Sequence, residues 1–331
     1  GYVKRTSKRS YNSNTEDPLL KEGDYIIGLY ELNTLDTVLL FTNLGNYLYL
    51  PVHEIPDIKW KMLGKHISNI IKTSENEEII NCIPVTDFNL DKNIVIATRL
   101  GMIKKTALSE FKVSRYSKPI SCMKLKEDDT VVNSFIDNYS DCFIATSDSY
   151  SLWFDLNEVP TSGIKSSGVK SISLKSDEVV SVCNFDKSFE YITVFSDKET
   201  AKRIKISELE KGSRARRGYL IIREVKSNPH KVKKVFITDN KTMFGLKKLQ
   251  TIDYLKQTEL PILDRIKIGT NISKEEITDI FKSVLLITKE DINNSLTEVK
   301  EVIEEKTDSK PVQISLLEID DKLKQIDEFL N

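Results

Sequence analysis

The sequence has few residues that could form a metal centre or a disulfide framework. Its 331 residues include four cysteines and three histidines. No two cysteines have the Cys-x-x-Cys spacing and the histidines are scattered, so we expect no metal site. The cysteines lie in or beside β-rich runs, which is typical of buried free thiols in a reducing cytoplasm. They are Cys82, Cys122, Cys142 and Cys183.

Long hydrophobic runs and catalytic motifs are absent as well. No segment approaches membrane-spanning length, and no apolar signal segment is present near the N-terminus. The stretch Gly163–Gly168 lacks the Lys-Ser/Thr ending of a phosphate-cradling loop and is not expected to open a helix. No Gly-x-Ser-x-Gly elbow occurs either. We therefore expect no active site and no cofactor in this chain.

A repeated hairpin is the main positive feature, and it is clearest between Ile94 and Pro119. The apolar run Ile94–Thr98 leads through a turn ending at Gly101 to a second strand at Met102-Ile103, which is typical of a β-hairpin. The pattern recurs with turns at positions 1, 45, 101, 149, 199 and 241, spaced 42 to 56 residues apart. Mostly-strand units of this length are typical of propeller blades. A β-sandwich stays open, although sandwich strands follow one another about every 8–12 residues.

The repeat predicts an all-β fold of six blades followed by a short α-helical C-terminal extension. The first copy starts at Gly1 in mid-hairpin, so we expect an excised fragment whose first blade is frayed or patched by a C-terminal segment. The run Leu260–Leu263 is interpreted as a strand that closes the ring. The predicted blades are 1–34, 35–88, 89–138, 139–186, 187–234 and 235–272.

The C-terminal part of the chain differs from the rest in charge. Residues 273–331 form a predicted acidic tail with 8 lysines against 15 acidic residues, whereas residues 1–272 carry 41 basic and 35 acidic residues. Apolar residues spaced by three and four predict an amphipathic helix at Gln313–Leu330.

A basic, polar corner follows the hairpin in several units, and the densest is Gly212–Gly218. A solvated face is the usual reason for such charge runs and stays open. Repetition favours another interpretation, because a ring places equivalent positions on one rim, where Lys and Arg could follow the phosphates of a bent duplex. No base-reading helix or aromatic stacking platform is evident, so we expect recognition of shape and charge. The candidate DNA-binding residues are Lys4, Arg5, Arg9, Lys59, Lys61, Lys65, Lys104, Lys105, Arg115, Lys118, Lys165, Lys170, Lys202, Arg203, Arg214, Arg216 and Arg217.

Four stretches resemble the C-terminal domain of the gyrase A and topoisomerase IV A proteins, the bacterial type IIA topoisomerases. They are Gly1–Ser7, Val38–Gly45, Ile58–Gly64 and Gly101–Lys105, and the resemblance covers about residues 1–245. It implies a β-pinwheel, a propeller-like ring in which neighbouring blades exchange strands, and hence a six-bladed β-pinwheel here. It also implies that double-stranded DNA bends around the outer rim. The family's catalytic tyrosine lies in a breakage-reunion domain that this chain does not include.

Within that family the chain resembles topoisomerase IV of Gram-positive type more than gyrase. Gyrase A proteins carry a Gln-Arg-Arg-Gly-Gly-Lys-Gly box after the first hairpin, and the stretch from Tyr11 to Glu22 has no such run. A gyrase domain with a degenerate box stays open, as does a protein-interaction propeller that binds no DNA. The resemblance implies two partners in an A2B2 enzyme, which are the breakage-reunion domain and the topoisomerase IV B subunit. It further implies that the whole enzyme uses ATP and Mg²⁺, in the bacterial cytoplasm at the nucleoid.

Overall fold

Short antiparallel strands make up most of the computed structural model, which describes residues 1–14, 16–223, 225 and 227–295. Residue contacts divide the chain into two compact units, 1–288 and 289–331. The strands are β1 (Tyr2–Val3), β2 (Thr37–Thr42), β3 (Asn46–Pro51), β4 (Lys65–His66), β5 (Ile79–Val85), β6 (Asn93–Thr98), β7 (Met102–Ala107), β8 (Ile120–Ser121), β9 (Val131–Ile136), β10 (Asp141–Thr146), β11 (Tyr150–Asp155), β12 (Val169–Lys170), β13 (Val179–Phe185), β14 (Tyr191–Ser196), β15 (Thr200–Lys205), β16 (Tyr219–Leu220), β17 (Val232–Thr238), β18 (Met243–Lys247), β19 (Ile252–Lys256), β20 (Thr270–Asn271) and β21 (Asp279–Lys282). The helix α1 spans Lys8–Asn12, and 3₁₀ helices lie at Val52–Glu54, Ile67–Asn69, Leu108–Phe111, Leu156–Glu158, Ile206–Glu208 and Gln257–Glu259.

Each four-stranded blade combines strands from two neighbouring units. In the first of these blades, the hairpin β2–β3 pairs with β5 on one side and β8 on the other. Strand β8 lies beyond the next hairpin, β6–β7, so it is exchanged from the following unit. The next blades repeat this order as β9–β6–β7–β12, β13–β10–β11–β16 and β17–β14–β15–β20. This exchange confirms the strand-swapped arrangement expected of a pinwheel.

The predicted count of six blades is not confirmed. Within the residues that the structure describes, five sheets have three or four strands, and a sixth sheet contains only β1 paired with β4. The reason is that the copy starting at Gly1 supplies a single hairpin strand, which cannot form a blade alone. The fifth blade, β19–β18–β21, ends at Lys282, so sheet-forming residues extend past the predicted boundary at 272. The other domain boundaries stay predictions.

Residues 281 and 287, near the end of the fifth blade, contact the segment 25–31 of the first unit. This agrees with the expectation that a C-terminal segment completes the first unit. The ring of Tyr25 stacks on Phe281 of the fifth blade with centroids 3.7 Å apart. Tyr30 forms a parallel bridge with Ile287, and its hydroxyl donates to the carbonyl oxygen of Cys82 in β5 at 2.9 Å. The segment 25–31 therefore contacts both the blade β5–β2–β3–β8 and the fifth blade.

Apolar side chains fill the spaces between blades because the central strands are buried on both faces. Ile94 and Ile96 of β6 pack with Phe41 of the preceding blade. Val95, which points to the opposite face, packs with Ile144 of the following blade. Burial of each such side chain contributes about 1.5–3 kcal/mol. The face-to-face stacking repeats from blade to blade, so loops at equivalent strand ends recur at equivalent places.

The hairpin turns confirm the predicted roles of Gly45 and Gly101. Their φ angles are 75° and 76°, in the left-handed region that glycine adopts without steric cost. Ser149 and Glu199 hold the same turn position in the hairpins β10–β11 and β14–β15, with φ of 68° and 51°. The backbone geometry of this turn is thus kept even where the residue is not glycine.

The tail is described only in part. Residues 289–295 are helical. The predicted amphipathic helix at Gln313–Leu330 lies outside the described residues, so it stays a prediction.

Candidate nucleic-acid interface

Four of the basic corners lie against the second hairpin strand of the unit before their own. We call residues 57–64, 112–119, 161–168, 211–218 and 262–269 the corner loops. Parallel bridges hold the start of four of these loops, and they join Arg5 to Asp57, Lys105 to Thr161, Trp153 to Lys211 and Arg203 to Ile262. The amide of Gly212, for example, donates to the carbonyl oxygen of Trp153 at 2.7 Å. The corner loops therefore occupy equivalent positions in successive units.

Backbone hydrogen bonds connect the segment after each of three corner loops to the next corner loop. The amide of Lys124, which follows the loop 112–119, donates to the carbonyl oxygen of Ser166 in the next loop at 3.2 Å. Ser173 makes the equivalent bond to Arg216 at 2.9 Å. The amide of Arg223 continues the series to Ile266 at 3.0 Å. We call this continuous set of four loops, from 112–119 to 262–269, the corner row.

The hairpins contain two pairs of basic residues, Lys104-Lys105 and Lys202-Arg203, and neither pair is exposed on the corner row. Lys104 and Lys202 are buried, with exposures of 0% and 1%. The Nζ of Lys104 donates to the carbonyl oxygens of Cys122, Gly163 and Ile164 at 2.8, 3.0 and 2.7 Å. Lys202 makes the same kind of contact with four carbonyl oxygens. They belong to Ile221, Asp264, Arg265 and Lys267.

The burial of Lys104, Lys105, Lys202 and Arg203 therefore argues against a direct contact of these predicted residues with DNA. Lys105 and Arg203 are also buried, and the Nε of Arg203 donates to the carbonyl oxygen of Leu260 at 2.9 Å. Burial lowers the pKa of Lys104 to about 8 and the pKa of Lys202 to about 7. Nearby acidic groups, including Glu110 at Lys104 and Glu208 at Lys202, oppose this shift. A phosphate could not reach these groups without unfolding the corner.

Lys4 and Arg5 repeat this arrangement in the first unit with partial exposure. The Nζ of Lys4 donates to the carbonyl oxygens of Trp60 and Met62, the latter at 2.7 Å. The Nε of Arg5 donates to the carbonyl oxygen of Ile55 at 3.2 Å. Burial lowers the pKa of Lys4 below its ordinary value. Both side chains hold the corner loop 57–64.

Arg214 and Arg217, two of the three arginines in the loop 211–218, form hydrogen bonds or ion pairs with other groups of the protein. The Nη1 of Arg217 lies 2.7 Å from Oδ1 of Asp177, whose side chain is fully buried, and its guanidinium stacks 3.8 Å from the ring centroid of Tyr150. The Nε of Arg214 donates to the carbonyl oxygen of Glu158 at 3.1 Å. Arg216 is exposed. The three arginines therefore have different roles despite their proximity in the sequence.

The remaining candidates are exposed. Most of them lie in or directly beside a corner loop, and Arg9 lies in α1. The Nζ of Lys61 is 2.8 Å from Oε2 of Glu16, so this lysine is partly neutralised. The exposed candidates are Arg9, Lys59, Lys61, Lys65, Arg115, Lys118, Lys165, Lys170 and Arg216.

The sequence prediction missed the corner loop 262–269. This loop carries Arg265 and the exposed Lys267, and the guanidinium of Arg265 lies 5.3 Å from the ring centroid of Tyr219. The run 260–263, interpreted from the sequence as a closing strand, instead leads into this loop. A signal was present, because Leu260-Pro261 matches the Ile55-Pro56 and Val159-Pro160 pairs that precede two other corner loops.

Other kinds of site find no support in the part of the chain that the structure describes. Across residues 1–14, 16–223, 225 and 227–295, no group of three or more His, Cys, Asp or Glu side chains could hold a metal ion. Among those same residues, no helix has the length and apolar character needed to cross a membrane.

Comparison with known sequences shows a family match across the first four blades. A family model described as DNA gyrase C-terminal domain, beta-propeller, matches residues 36–86, 92–136, 140–182 and 190–239. The chain is 42% identical over 238 residues to the DNA topoisomerase 4 A protein of Bacillus subtilis (strain 168), covering 71% of this chain and 30% of that protein. The corresponding protein of Staphylococcus aureus (strain MRSA252) is 41% identical over 234 residues, with coverage of 70% and 29%. The chain thus spans about 30% of the length of these relatives.

Solved structures share the architecture. The crystal structure of the C-terminal domain of DNA topoisomerase IV superposes with a TM-score of 0.81 at 40% identity, covering 92% of this chain and 95% of that one. The DNA gyrase A C-terminal domain superposes with a TM-score of 0.63 at 19% identity, covering 81% and 90%. The second likeness concerns the fold alone.

Proposed function

This chain belongs to the DNA gyrase C-terminal domain, beta-propeller family, and on that premise we propose that it binds and bends double-stranded DNA along its corner loops. The observation that carries the proposal is the corner row, in which hydrogen bonds connect the segment after one loop to the next loop and every loop bears exposed basic side chains. Arg115, Lys165 and Arg216 lie on three successive loops of this row. A duplex carries one negative charge per about 1.7 Å of its axis, so successive loops can each meet a phosphate.

We infer that the corner row is curved, because it follows successive blades of a propeller-like fold, and a curved row favours bent DNA. A stiff straight duplex would touch a curved row at few points, whereas a bent one meets more loops. Smooth bending of a 20–30 base-pair site by 40–90° costs about 1–6 kcal/mol, which several charge-assisted phosphate contacts can offset. Contacts to phosphates carry no base information, so binding should depend little on sequence.

We further propose that the chain serves a type IIA topoisomerase by presenting a DNA segment to its catalytic parts. The relatives at about 40% identity support the topoisomerase IV branch, in line with the missing gyrase box. On this proposal the chain itself is not catalytic. Strand passage, with its need for ATP and Mg²⁺, belongs to the breakage-reunion domain and the B subunit of an A2B2 enzyme, which decatenates DNA and relaxes supercoils.

A duplex labelled at both ends tests the bending. We expect energy transfer between dyes on a duplex of about 40 base pairs to rise when the chain binds, by a similar amount for unrelated sequences, because the curved row draws the two ends together. A duplex with a flexible nicked centre should bind more tightly, since bending it costs less. Binding without a change in energy transfer, and without preference for the nicked duplex, would leave DNA binding intact but remove bending from the proposal.

A further inference from the structure

In five of the hairpin copies, one position is occupied by a lysine or by a buried leucine. Lys4, Lys104 and Lys202 each lie three residues after the turn residue of their hairpin. Leu48 and Leu152 hold the same position in two other hairpins and are fully buried among apolar side chains. The lysine at this position points toward the corner loop of the next unit. The lysine is therefore not required for the strand itself, since leucine serves equally well there.

In the lysine units, carbonyl groups of the corner loop converge on the ammonium group. Gly163 and Ile164 turn their carbonyl oxygens toward Nζ of Lys104. Carbonyl and N–H point in opposite directions across a trans peptide, so the amides of Ile164 and Lys165 are turned away from Lys104. The Ile164 amide accordingly meets Oε2 of Glu110 at 3.0 Å on the exposed side. The lysine thus sets the orientation of the loop backbone beside Lys165.

The ammonium of Lys104 is not itself a phosphate ligand. It has three N–H donors, and Cys122, Gly163 and Ile164 supply three acceptors within 3.0 Å. Its side chain is 0% exposed. A buried charge without partners would be costly, so the lysine and the loop carbonyls hold each other in place. Any effect of Lys104 on DNA binding must pass through the corner loop.

We propose that Lys4, Lys104 and Lys202 are positioning residues that fix their corner loops in the shape that meets DNA phosphates. This inference rests on the proposed function. Each lysine holds a loop that carries exposed basic side chains: Lys59 and Lys61 in the loop 57–64, Lys165 in 161–168 and Lys267 in 262–269. Removing the ammonium frees the loop carbonyls and lets the neighbouring basic side chain move away from its phosphate.

The test compares three variants of the full chain: Lys104→Met, Lys165→Ala and, as a control, Leu152→Met at the same position in another hairpin. Binding of a random-sequence duplex is measured against salt, and amide hydrogen exchange is followed in the loop 161–168. Lys104→Met should lower the affinity about tenfold at ~0.1 M salt, because the loop is misplaced. This loss is close to the loss of affinity expected when one phosphate contact is removed. The magnitude of its log–log salt slope should fall by up to about 0.9, because Lys165 leaves its phosphate, and amide exchange in the loop should become faster.

The two other variants separate positioning from direct contact and from general destabilisation. Lys165→Ala should reduce the magnitude of the salt slope by about 0.9 without changing exchange, as expected for a direct contact. Leu152→Met should leave affinity and slope unchanged, because it conserves volume. Wild-type affinity in Lys104→Met despite faster exchange would overturn the positioning role. A reduced slope without faster exchange in the loop would also overturn it, because the ammonium would then act as a direct contact.

A second variant covers the case in which Lys104→Met does not fold. Lys4 is only half-buried, and Lys4→Met should leave the blades intact while increasing exchange in the loop 57–64 and weakening duplex binding. Unchanged affinity of this folded variant overturns the proposal. If the wild-type chain itself fails to bind duplex at low salt, the proposed function fails, which is a result distinct from failure of the lysine variants alone.

Discussion

Replacing Arg115, Lys165 and Arg216 together with alanine is expected to weaken duplex binding roughly 500-fold at about 0.1 M salt. The three side chains are exposed and lie on successive loops of the corner row. Each lost phosphate contact removes about 0.9 from the magnitude of the log–log salt slope, so the slope should become shallower by about 2.7. The loss should be the same for unrelated duplex sequences, because phosphates carry no base information.

A control with the same change in net charge separates the corner row from the overall charge of the protein. Lys187, Lys241 and Lys256 are exposed and lie outside the corner loops. Alanine at these three positions removes the same number of positive charges, and we expect it to change affinity by only a small factor through long-range screening. Equal losses in the two triple variants would contradict a role for the corner row.

Arg217→Ala is expected to destabilise the fold by about 3 kcal/mol. The side chain of Asp177 has 0% exposure, so it would be left as an unpaired buried carboxylate, and the stacking of Arg217 on Tyr150 would also be lost. Arg216→Ala is the matched control one residue away, and it should change stability by less than about 0.5 kcal/mol. Urea unfolding at neutral pH measures both free energies, and similar values for the two variants would contradict the assigned contacts.

The loss caused by Arg217→Ala should shrink in acid. Burial raises the pKa of Asp177, but hydrogen bonds from Arg217 and the Lys175 amide help to outweigh burial and hold the pKa below its ordinary value. Stability from this group is therefore present above the unfolded pKa, near 3.9, and is lost as pH falls through the lower folded pKa. Once the carboxyl is protonated, Arg217 matters less. A difference between wild type and variant that stays constant down to about pH 2 would exclude the ion pair as its cause.

The hairpin repeat could be predicted because its signals are local. Gly45 and Gly101 mark turns through the backbone conformation they allow, and the short apolar β-type runs mark the blades. The exchange of short strands came from the family resemblance, since two-residue strands such as β8 and β12 carry no pattern of their own. The fifth unit was placed poorly because its hairpin, β18–β19, is more exposed and less regular than the others.

The candidate site was predicted less well because a sequence gives the charge of a side chain but not whether it points into the protein or into solvent. Lys104 and Lys165 look alike in the chain, yet one binds three carbonyl oxygens inside the protein and the other is exposed. Strands buried on both faces give no alternation from which the buried lysine could be recognised. The comparison with Leu48 and Leu152 at the same position is the one internal signal that this side chain belongs to the core.

The salt dependence of duplex binding by the wild-type chain tests the central claim most directly. The affinity for a random-sequence duplex is measured from about 50 to 200 mM salt. If at least four corner loops each meet a phosphate, the log–log slope should be about −3.6 or steeper, with little difference between sequences. A slope near zero, or binding confined to one sequence, would contradict the account of this chain as a domain that recognises the DNA backbone.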